Sequence, residues 1–481
     1  MNLDFLAVAP TIAITAAVVL LLMVDVVWKP GPRWWAVAAA LGLVGATTAS
    51  VWQWVEHRAA DGELFFSDML AVDGFSSFAG MLVFPVAGLG LMAGWGLVTG
   101  VGRRGAEFVV LVMIAASGAH LMAASANLVL LFIALEVFSL SLYVLAGFTR
   151  GGDGADEAAL KYFLLGALAS AVFLYGIALV FAATGTTSMY GAQSFLESTL
   201  ILRPGILLAG IALLLVGLGF KVSAAPFHVW APDVYQGAPG GVTGFLAAGA
   251  KIGGFAAMAR VLVVPLESRI GDWAPAVAAL AALSVVVGTL FAIAQTDLKR
   301  MLAYSSVAHA GFIMTALVAG ADGVGDMWFY VATYAVQVIG AFAIAAVVSG
   351  AMTGKSPLSD YAGLAVRSPM LAAVMALFML AMGGIPLTAG FVGKAAVFRA
   401  AINADYLWLV IVGLVAAVGG LFFYLRLIVL MYMQPLSDES ASAPGVPLGV
   451  RLAIGLPAVV TIVFGFAPWP LLDWVRDATP L

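Results

Sequence analysis

The chain has 481 residues, of which 63% are apolar and only 10% are Asp, Glu, Lys or Arg, and its formal net charge is −4. Soluble domains carry about 25% charged residues, so this chain lacks the charge to cover a water-facing surface of its size. The sequence contains no cysteine, which excludes disulfides, cysteine-ligated iron–sulfur clusters and thiol nucleophiles.

The apolar residues form segments long enough to cross a bilayer as helices of about 20 residues, whereas barrel strands would alternate over about 10. The first segment has no Lys or Arg ahead of it, unlike a secretory signal, and we interpret it as a retained helix. The links are too short for a soluble domain, and no basic arm indicates a nucleic-acid partner. The sequence predicts an all-α membrane protein with about fourteen transmembrane helices, centred on residues 5–27, 34–55, 72–99, 106–124, 126–148, 160–184, 205–230, 239–264, 274–294, 301–320, 326–350, 369–402, 406–433 and 449–473.

The Lys and Arg residues of the links predict the orientation, because cytoplasmic loops carry an excess of positive charge. Four basic residues fall in the links after even-numbered helices and in the C-terminal tail, namely Arg58, Arg203, Arg269 and Arg476. Ten fall in the links after odd-numbered helices, and we expect that side to face the cytoplasm: Lys29, Arg33, Arg103, Arg104, Arg150, Lys299, Arg300, Lys355, Arg367 and Arg451. Both termini are then predicted to lie on the outer side.

Single charges occur within successive apolar segments. They are Glu136 in helix 5, Lys161 near the start of helix 6, Lys221 in helix 7, Lys251 in helix 8 and Lys394 in helix 12. A charge at bilayer depth costs about 2.5–3.5 kcal/mol on insertion scales, so such residues pair, line water or carry ions. Desolvated lysines give up a proton far more readily than arginines, which makes a proton relay a natural hypothesis.

Structural explanations compete with the relay. Each charge would then form a buried ion pair or extend to the membrane interface, which is easiest for Lys161 because it lies near a helix end. Arg260, Arg399 and Arg426 are better explained as interface anchors than as relay members.

Two prolines predict broken helices beside buried lysines. Pro226 follows Lys221 by five residues in helix 7, and Pro386 precedes Lys394 by eight in helix 12. Helix-interior proline frees a backbone carbonyl, and paired broken helices are typical of internal repeats in transporters. Because the breaks are five helices apart, an odd number, the two five-helix units must be inverted. We expect helices 1–3 at residues 1–104, a first repeat of helices 4–8 at 105–265, a second of helices 9–13 at 272–434, and helix 14 at 445–481.

Histidine and tyrosine side chains add further relay candidates. His309 lies in helix 10 and His228 beside the first break, and imidazole titrates near neutral pH. Tyr304, Ser305 and Ser306 supply hydroxyls near His309. Each of these residues also fits a role in packing or in hydrogen bonding to helix carbonyls.

Four sequence stretches carry a resemblance to a known family. They are FKVSAAPFHVWAPDVYQGAP at 220–239, EAALKYFLLGALASA at 157–171, QTDLKRMLAYSSVAHAGF at 295–312 and GIPLTAGFVGK at 384–394. The first resembles the signature of the subunit N family of proton-pumping NADH:quinone oxidoreductase, respiratory complex I. Subunits L and M and the Mrp antiporters share its Lys–Pro–His–Trp–Pro-Asp framework, and the Val-Tyr-x-Gly-Ala-Pro ending points to subunit N. The resemblance covers residues 70 to 430.

The resemblance implies roles for residues already singled out. Glu136 is similar to the glutamate that modulates the central lysine, Lys221, and Lys161 resembles a lysine that supports that pair. Lys251 resembles the connecting lysine, with His309 as a further link, and Lys394 the terminal one.

The resemblance also implies a setting for the chain. NADH, FMN, iron–sulfur clusters and quinone are expected in partner subunits, with none of these cofactors on this chain. The expected partners are subunit M, small membrane-arm subunits and lipids, and the expected location is the bacterial plasma membrane.

Two other functions remain open from the sequence. An autonomous or hydrogenase-associated cation/proton antiporter shares most of the motifs, although the Val-Tyr-x-Gly-Ala-Pro ending argues against it. A membrane scaffold, in which the buried charges only fix helix packing, is the other alternative, and four lysines at bilayer depth make it a costly design.

Overall fold

A computed structural model describes residues 5–58, 62–149, 154–199, 204–349, 354–435 and 445–480. Twenty α-helices, three short 3-10 helices and a short antiparallel pair of strands make up the regular structure of these ranges. The strands are β1 (Glu63–Phe65) and β2 (Leu70–Val72). The helices are α1 (Ala9–Trp28), α2 (Pro32–His57), α3 (Gly74–Ala93), α4 (Trp95–Gly100), α5 (Arg104–Ala124), α6 (Leu128–Ala146), α7 (Ala155–Thr184), α8 (Met189–Ser198), α9 (Gly205–Lys221), α10 (Ala231–Gly237), α11 (Gly240–Val263), α12 (Ile270–Ile293), α13 (Leu298–Leu317), α14 (Val324–Ser349), α15 (Leu364–Arg367), α16 (Pro369–Gly383), α17 (Ala389–Asn403), α18 (Leu407–Met433), α19 (Leu448–Phe466) and α20 (Trp469–Asp477).

The long helices support the membrane assignment. Within the described ranges, eleven helices are long and apolar enough to cross a bilayer, and α9 and α16 are apolar but shorter. Counting these two and the 20-residue α13, the chain is an all-helical membrane protein with about 11–14 spans. The prediction of an α-helical membrane protein is therefore confirmed, with the β1–β2 hairpin as a small addition.

The bundle has a buried centre and a lipid-facing rim. The 18-residue apolar stretch of α11 is 100% buried inside the protein and that of α14 is 89% buried, whereas that of α1 is only 22% buried. Apolar side chains on peripheral helices need no protein cover because lipid is as apolar as they are. The charges carried by the central helices are thus shielded from lipid by the helices around them.

Both positions where the sequence predicts a broken helix are non-helical. Helix α9 ends at Lys221 and α10 begins at Ala231, and α16 ends at Gly383 and α17 begins at Ala389. Each gap contains a non-glycine residue in the left-handed region, Ser223 (φ 59°) in the first and Leu387 (φ 69°) in the second. L-residues other than glycine rarely adopt this conformation, so each break is locally strained.

Helices α6 and α13 each begin at a cap residue that also forms an isolated β-bridge with a later link. Asn127 caps the N-terminus of α6 and forms an isolated antiparallel bridge with Ser188, in the link after α7. Asp297 caps the N-terminus of α13 and bridges Pro357, in the link after α14. The caps lie 170 positions apart (297 − 127 = 170).

Close helix crossings recur at the same interval. A Cβ on Gly118 of α5 would lie 2.7 Å from the Phe138 nitrogen in α6. One on Gly288 of α12 would lie 2.4 Å from the Ala308 nitrogen in α13. Both glycines and both nitrogens are again 170 positions apart (288 − 118 and 308 − 138). Only glycine permits backbones to approach this closely, so α5–α6 and α12–α13 are both closely packed pairs.

Candidate functional site

The Lys221 ammonium lies at the C-terminus of α9, in the first break. Its side chain is buried, and its Nζ donates to the Ser139 hydroxyl on α6 at 2.6 Å. The rings of Phe138 and Tyr143 lie 5.5 and 5.9 Å from Nζ, measured to their centroids. Aromatic faces attract a cation weakly, so Lys221 is held by one neutral acceptor and two rings.

Glu136 lies close to this lysine on α6 but has a partner of its own. Its carboxylate accepts a hydrogen bond from the Ser170 hydroxyl on α7. Glu136 precedes Ser139 by three residues, and residues three apart share a helix face. Glu136 and Lys221 are therefore each hydrogen-bonded to a different serine, Glu136 to Ser170 and Lys221 to Ser139.

Lys251 reaches the same break from α11. Its side chain is fully buried and its Nζ donates to the main-chain carbonyl of Val222, the first residue beyond α9. A Cβ on Gly254 would lie 2.8 Å from a Val222 methyl and 3.3 Å from the Lys221 Cγ. The glycine lets α11 pack directly against the break. Lys251 can therefore bind the carbonyl of Val222, the residue next to Lys221.

Lys394 has an equivalent environment at the second break. Its buried Nζ donates to the carbonyls of Met382 and Gly383, both at 2.9 Å, at the C-terminus of α16. Its Nζ also lies 4.8 Å from the centroid of the Phe312 ring. The last carbonyls of a helix lack partners within the helix, so the break supplies the acceptors that hold this lysine.

His309 on α13 joins two tyrosines from different helices. Its Nδ1 lies 2.9 Å from the Tyr330 hydroxyl on α14, and its Nε2 lies 3.1 Å from the Tyr424 hydroxyl on α18. The Tyr424 hydroxyl is also 2.5 Å from the Ser305 hydroxyl. Both imidazole nitrogens are thus bound to hydroxyls, which both donate and accept protons.

Tyrosines extend this network toward the first break. The Tyr334 ring lies 4.6 Å from the His309 ring, and the Tyr235 ring of α10 lies 6.2 Å from the ring of Trp230, in the first break, centroid to centroid. Sequence patterns indicated the serines but not these tyrosines, because tyrosine in a membrane helix is unremarkable until the fold brings it beside a histidine.

Lys161 is placed elsewhere, at the edge of the bundle. Its Nζ lies 2.7 Å from a Glu157 oxygen and 2.7 Å from an Asp233 oxygen, and its side chain is 42% exposed. Arg300 of α13 binds the other Asp233 oxygen at 2.7 Å. Burial opposes ionisation of Asp233, but hydrogen bonds from Lys161 and Arg300 outweigh it and lower the pKa of this carboxyl. The structure places Lys161 in this surface network.

The two additional relay candidates meet each other at the rim. The rings of His228 and Tyr304 lie 6.1 Å apart, and Tyr304 stacks on Phe291 at 5.5 Å. Phe291 is 51% exposed, so this group faces the lipid side of the bundle. Pro226 and Pro386 both lie within the helix breaks that the sequence predicts.

The expectation that Arg260 anchors the interface is wrong. Its side chain is 0% exposed and forms a bidentate pair with Asp73, with Nη1–Oδ2 at 2.5 Å and Nη2–Oδ1 at 3.0 Å. The same guanidinium donates to the Ala123 carbonyl. Asp73 is also the N-cap of α3, so the pair joins α3 to α11. A capping motif, Asp73 with Ser76 three residues later, is the sequence signal that could have marked Asp73.

The described ranges of the chain contain no group of three or more His, Cys, Asp or Glu side chains that could hold a metal ion. The polar groups around the two breaks and His309 are lysines, hydroxyls, one imidazole and main-chain carbonyls.

Known proteins share both the sequence and the fold. Residues 125–419 match the family model described as NADH:quinone oxidoreductase/Mrp antiporter, TM. The chain is 38% identical to NADH-quinone oxidoreductase subunit N of Trichlorobacter lovleyi over 442 residues, which are 92% of this chain and 90% of the relative.

Solved structures give the same result. A chain of respiratory complex I from Thermus thermophilus is 36% identical and superposes with a TM-score of 0.80 over 96% of this chain and 98% of that one. A chain of the archaeal membrane-bound sulfane sulfur reductase is 27% identical, with a TM-score of 0.83 over 98% of this chain and 96% of that one.

Proposed function

The chain belongs to the subunit N family of NADH-quinone oxidoreductase, and we propose that it moves protons across the membrane through its buried lysines and His309. It is a membrane-arm subunit of respiratory complex I, in which it works with other subunits. NADH oxidation and quinone reduction take place in those other subunits, and their energy reaches this chain as a change in local charge.

One observation carries the proposal. Lys221, Lys251 and Lys394 are buried, and their ammonium groups are held by a hydroxyl or by main-chain carbonyls. A carboxylate stabilises an ammonium more strongly than a neutral acceptor does. Lysines that served only as structural ion pairs would have the partner that Arg260 has in Asp73. Neutral acceptors leave each lysine able to exist with or without its extra proton.

The proposed relay runs from Glu136 to Lys221, Lys251, His309 and Lys394. Movement of the Glu136 carboxylate relative to Lys221 changes the proton affinity of that lysine, because charge–charge energies vary inversely with distance. Moving one charge against 100 mV requires about 2.3 kcal/mol, and one pKa unit is worth about 1.4 kcal/mol. Changes of about two pKa units per step are therefore sufficient.

We also propose two inverted five-helix repeats, residues 105–265 and 272–434. The 170-position interval supports them, since Asn127 and Asp297 cap equivalent helices and bridge equivalent links. Each repeat then contributes one broken helix and one buried lysine at the break. Irregular backbone at membrane depth is tolerated where it lines a protein interior, and such sites bind ions in transporters.

The orientation and setting complete the proposal. The lysine- and arginine-rich links face the cytoplasm of a bacterium, and both termini lie on the outer side of the plasma membrane. Subunit M and small membrane-arm subunits are the neighbours, and they carry the charge changes that act on Glu136 and Lys394.

Proton pumping by the reconstituted complex tests the relay. We expect Lys221→Ala and Lys394→Ala each to lower the number of protons moved per NADH oxidised, while Lys29→Ala, at an exposed lysine, leaves it unchanged. The parental ratio in both buried-lysine variants would contradict the relay and favour a scaffold. Ion exchange by the isolated chain, with no NADH dehydrogenase partners co-purifying, would instead favour an autonomous antiporter.

A further inference from the structure

Two consecutive residues of α13, Lys299 and Arg300, hold both ends of the short helix α10. Arg300 Nη1 donates to the carboxylate of Asp233, in the first turn of α10, at 2.7 Å. Lys299 Nζ donates to the carbonyl of Ala238, where α10 ends, at 2.8 Å and to that of Gln236 at 3.4 Å. A helix of seven residues is not stable by itself, so α10 depends on such contacts for its position. Lys299 and Arg300 together are called the α10 clamp.

The α10 clamp combines a buried residue with an accessible one. Lys299 is 1% exposed, and its ammonium binds the main chain at the end of α10, where carbonyls lack partners within the helix. The Arg300 side chain is 27% exposed, and its Nε also donates to the Gln295 side chain at 3.2 Å. A partly exposed ion pair contributes little stability by itself, so the importance of Arg300 lies in where it holds α10.

Trp230 connects α10 to the helix that carries the central lysine. This buried residue directly precedes α10, and its indole Nε1 donates to the Phe220 carbonyl at 3.1 Å. Phe220 is the residue before Lys221, in the last turn of α9. The Trp230 ring also stacks on the Tyr162 ring of α7, with the centroids 4.5 Å apart. The start of α10 is therefore joined to the end of α9 across the first break.

Helix α10 also lies between the two proposed repeats. The two Asp233 oxygens bind different cations, Lys161 on α7 and Arg300 on α13. A Cβ on Gly237 would lie 2.5 Å from the Ala158 methyl of α7, so α10 packs tightly against the first repeat. Helix α13, which carries His309, belongs to the second repeat. A displacement of α13 is therefore passed through α10 to the first break.

We propose that Lys299 and Arg300 are positioning residues that set the geometry of the first break. The inference rests on the proposed function and adds the residues that keep Lys221 within hydrogen-bonding distance of Ser139. No proton passes through the α10 clamp. Its contacts hold α10, and Trp230 holds the end of α9 relative to α10. Proton transfer needs heavy atoms within about 2.6–3.2 Å, so release of α10 slows transfer at Lys221 by displacing its ammonium.

A removable covalent link tests the α10 clamp in the intact complex. The chain has no cysteine, so two introduced thiols report only their own positions within this subunit. Asp233→Cys combined with Arg300→Cys replaces the ion pair by two thiols that a short bifunctional methanethiosulfonate can bridge. The matched control is Asp473→Cys combined with Arg476→Cys, at an exposed ion pair of α20. The parental complex treated in the same way corrects for thiols of other subunits.

We expect the unbridged Asp233→Cys, Arg300→Cys complex to move fewer protons per NADH than the parental complex. Bridging should raise the ratio again and a thiol reductant should lower it, while the control keeps its ratio throughout. A bridge carries no titratable group, so recovery identifies positioning and not proton transfer. Parental pumping before bridging, a ratio that stays low after complete bridging, or thiols too far apart to be bridged would each overturn the α10 clamp.

Lys299 has a separate readout that needs no labelling. We expect Lys299→Met to lower the protons moved per NADH and to speed hydrogen exchange in α10. Lys299→Arg should keep both at the parental level, because arginine donates to carbonyls but does not release its proton. Low pumping in an assembled Lys299→Arg complex with parental exchange in α10 would contradict a positioning role. Faster exchange with parental pumping in Lys299→Met would show a purely structural contact and also overturn the proposal.

The α10 clamp and the relay can fail independently. If Lys221→Ala and Lys394→Ala lower pumping while the Lys299 and Arg300 variants do not, the relay stands and only the clamp is removed. Unchanged pumping in both Lys221→Ala and Lys394→Ala would remove the proposed function itself.

Discussion

The Lys251 ammonium donates a hydrogen bond to the main-chain carbonyl of Val222, the residue that follows Lys221. A carbonyl freed by the first helix break thus holds a lysine from another helix, α11, which is buried throughout its length. The same arrangement occurs at the second break, where carbonyls of α16 hold Lys394. The breaks therefore provide acceptors at bilayer depth, where unsatisfied carbonyls would be costly.

Lys251 variants separate donation from proton exchange. We expect Lys251→Arg to keep a donor for the Val222 carbonyl but to lower proton pumping, because arginine stays protonated. Lys251→Met also removes the donor, so less subunit should assemble into the purified complex. Parental pumping in an assembled Lys251→Arg complex would exclude a proton-exchanging role for this residue.

Tyr424→Phe removes the hydroxyl that joins His309 to Ser305. Each lost hydrogen bond costs about 0.5–1.5 kcal/mol, so the subunit should still assemble. We expect fewer protons moved per NADH, measured in proteoliposomes. Tyr432→Phe is the control, since Tyr432 lies on the same helix with 48% of its side chain exposed. Equal pumping by the two variants would argue against a hydroxyl link at His309.

Gly288→Ala should disrupt the α12–α13 crossing. The new methyl would lie 2.4 Å from the Ala308 nitrogen and 2.7 Å from the Tyr304 carbonyl, which are backbone atoms that cannot move separately. Overpacking of this kind costs about 1–3 kcal/mol. A Cβ on Gly271, in the same helix, meets nothing within 4 Å, so Gly271→Ala is a matched control. Thermal unfolding of the solubilised complex should begin earlier for Gly288→Ala only.

Asp73→Asn should leave the Arg260 charge buried without its counter-charge. Removal of one partner of a buried ion pair costs about 3–5 kcal/mol. The control is Asp272→Asn, whose partner Arg269 lies 2.7 Å away but whose pair is about one-third exposed, for an expected loss of about 0–1 kcal/mol. Thermal unfolding of both variants measures the difference, and similar losses would show that burial does not set the strength of the Asp73 pair.

The Asp233 network should be insensitive to pH in the physiological range. Folding lowers the pKa of the Asp233 carboxyl from its ordinary value of 3.8. The stabilisation that this carboxylate provides is therefore present above pH 3.8 and is lost only as the pH falls through the lower folded-state pKa. We expect Asp233→Asn to loosen the contacts with Lys161 and Arg300 equally at pH 6 and pH 8, read as hydrogen exchange at the start of α13. Asp473→Asn, in an exposed pair, is the control. A difference between the two pH values would contradict an ionised Asp233.

The sequence by itself determined the membrane class, the approximate spans, the charges within them and the two broken helices. Membrane spans, the charges within them and helix breaks at proline depend on residues that are close together in the chain, so they can be predicted from the sequence. Only the tertiary structure decided which partner each charge has. Helix packing brings Arg260 to Asp73, separated by 187 positions, and Tyr424 to His309, separated by 115. Helix packing also pairs Lys161 with Asp233, separated by 72 positions. Contacts of this kind depend on the rotation and crossing of helices, and one sequence does not fix those quantities.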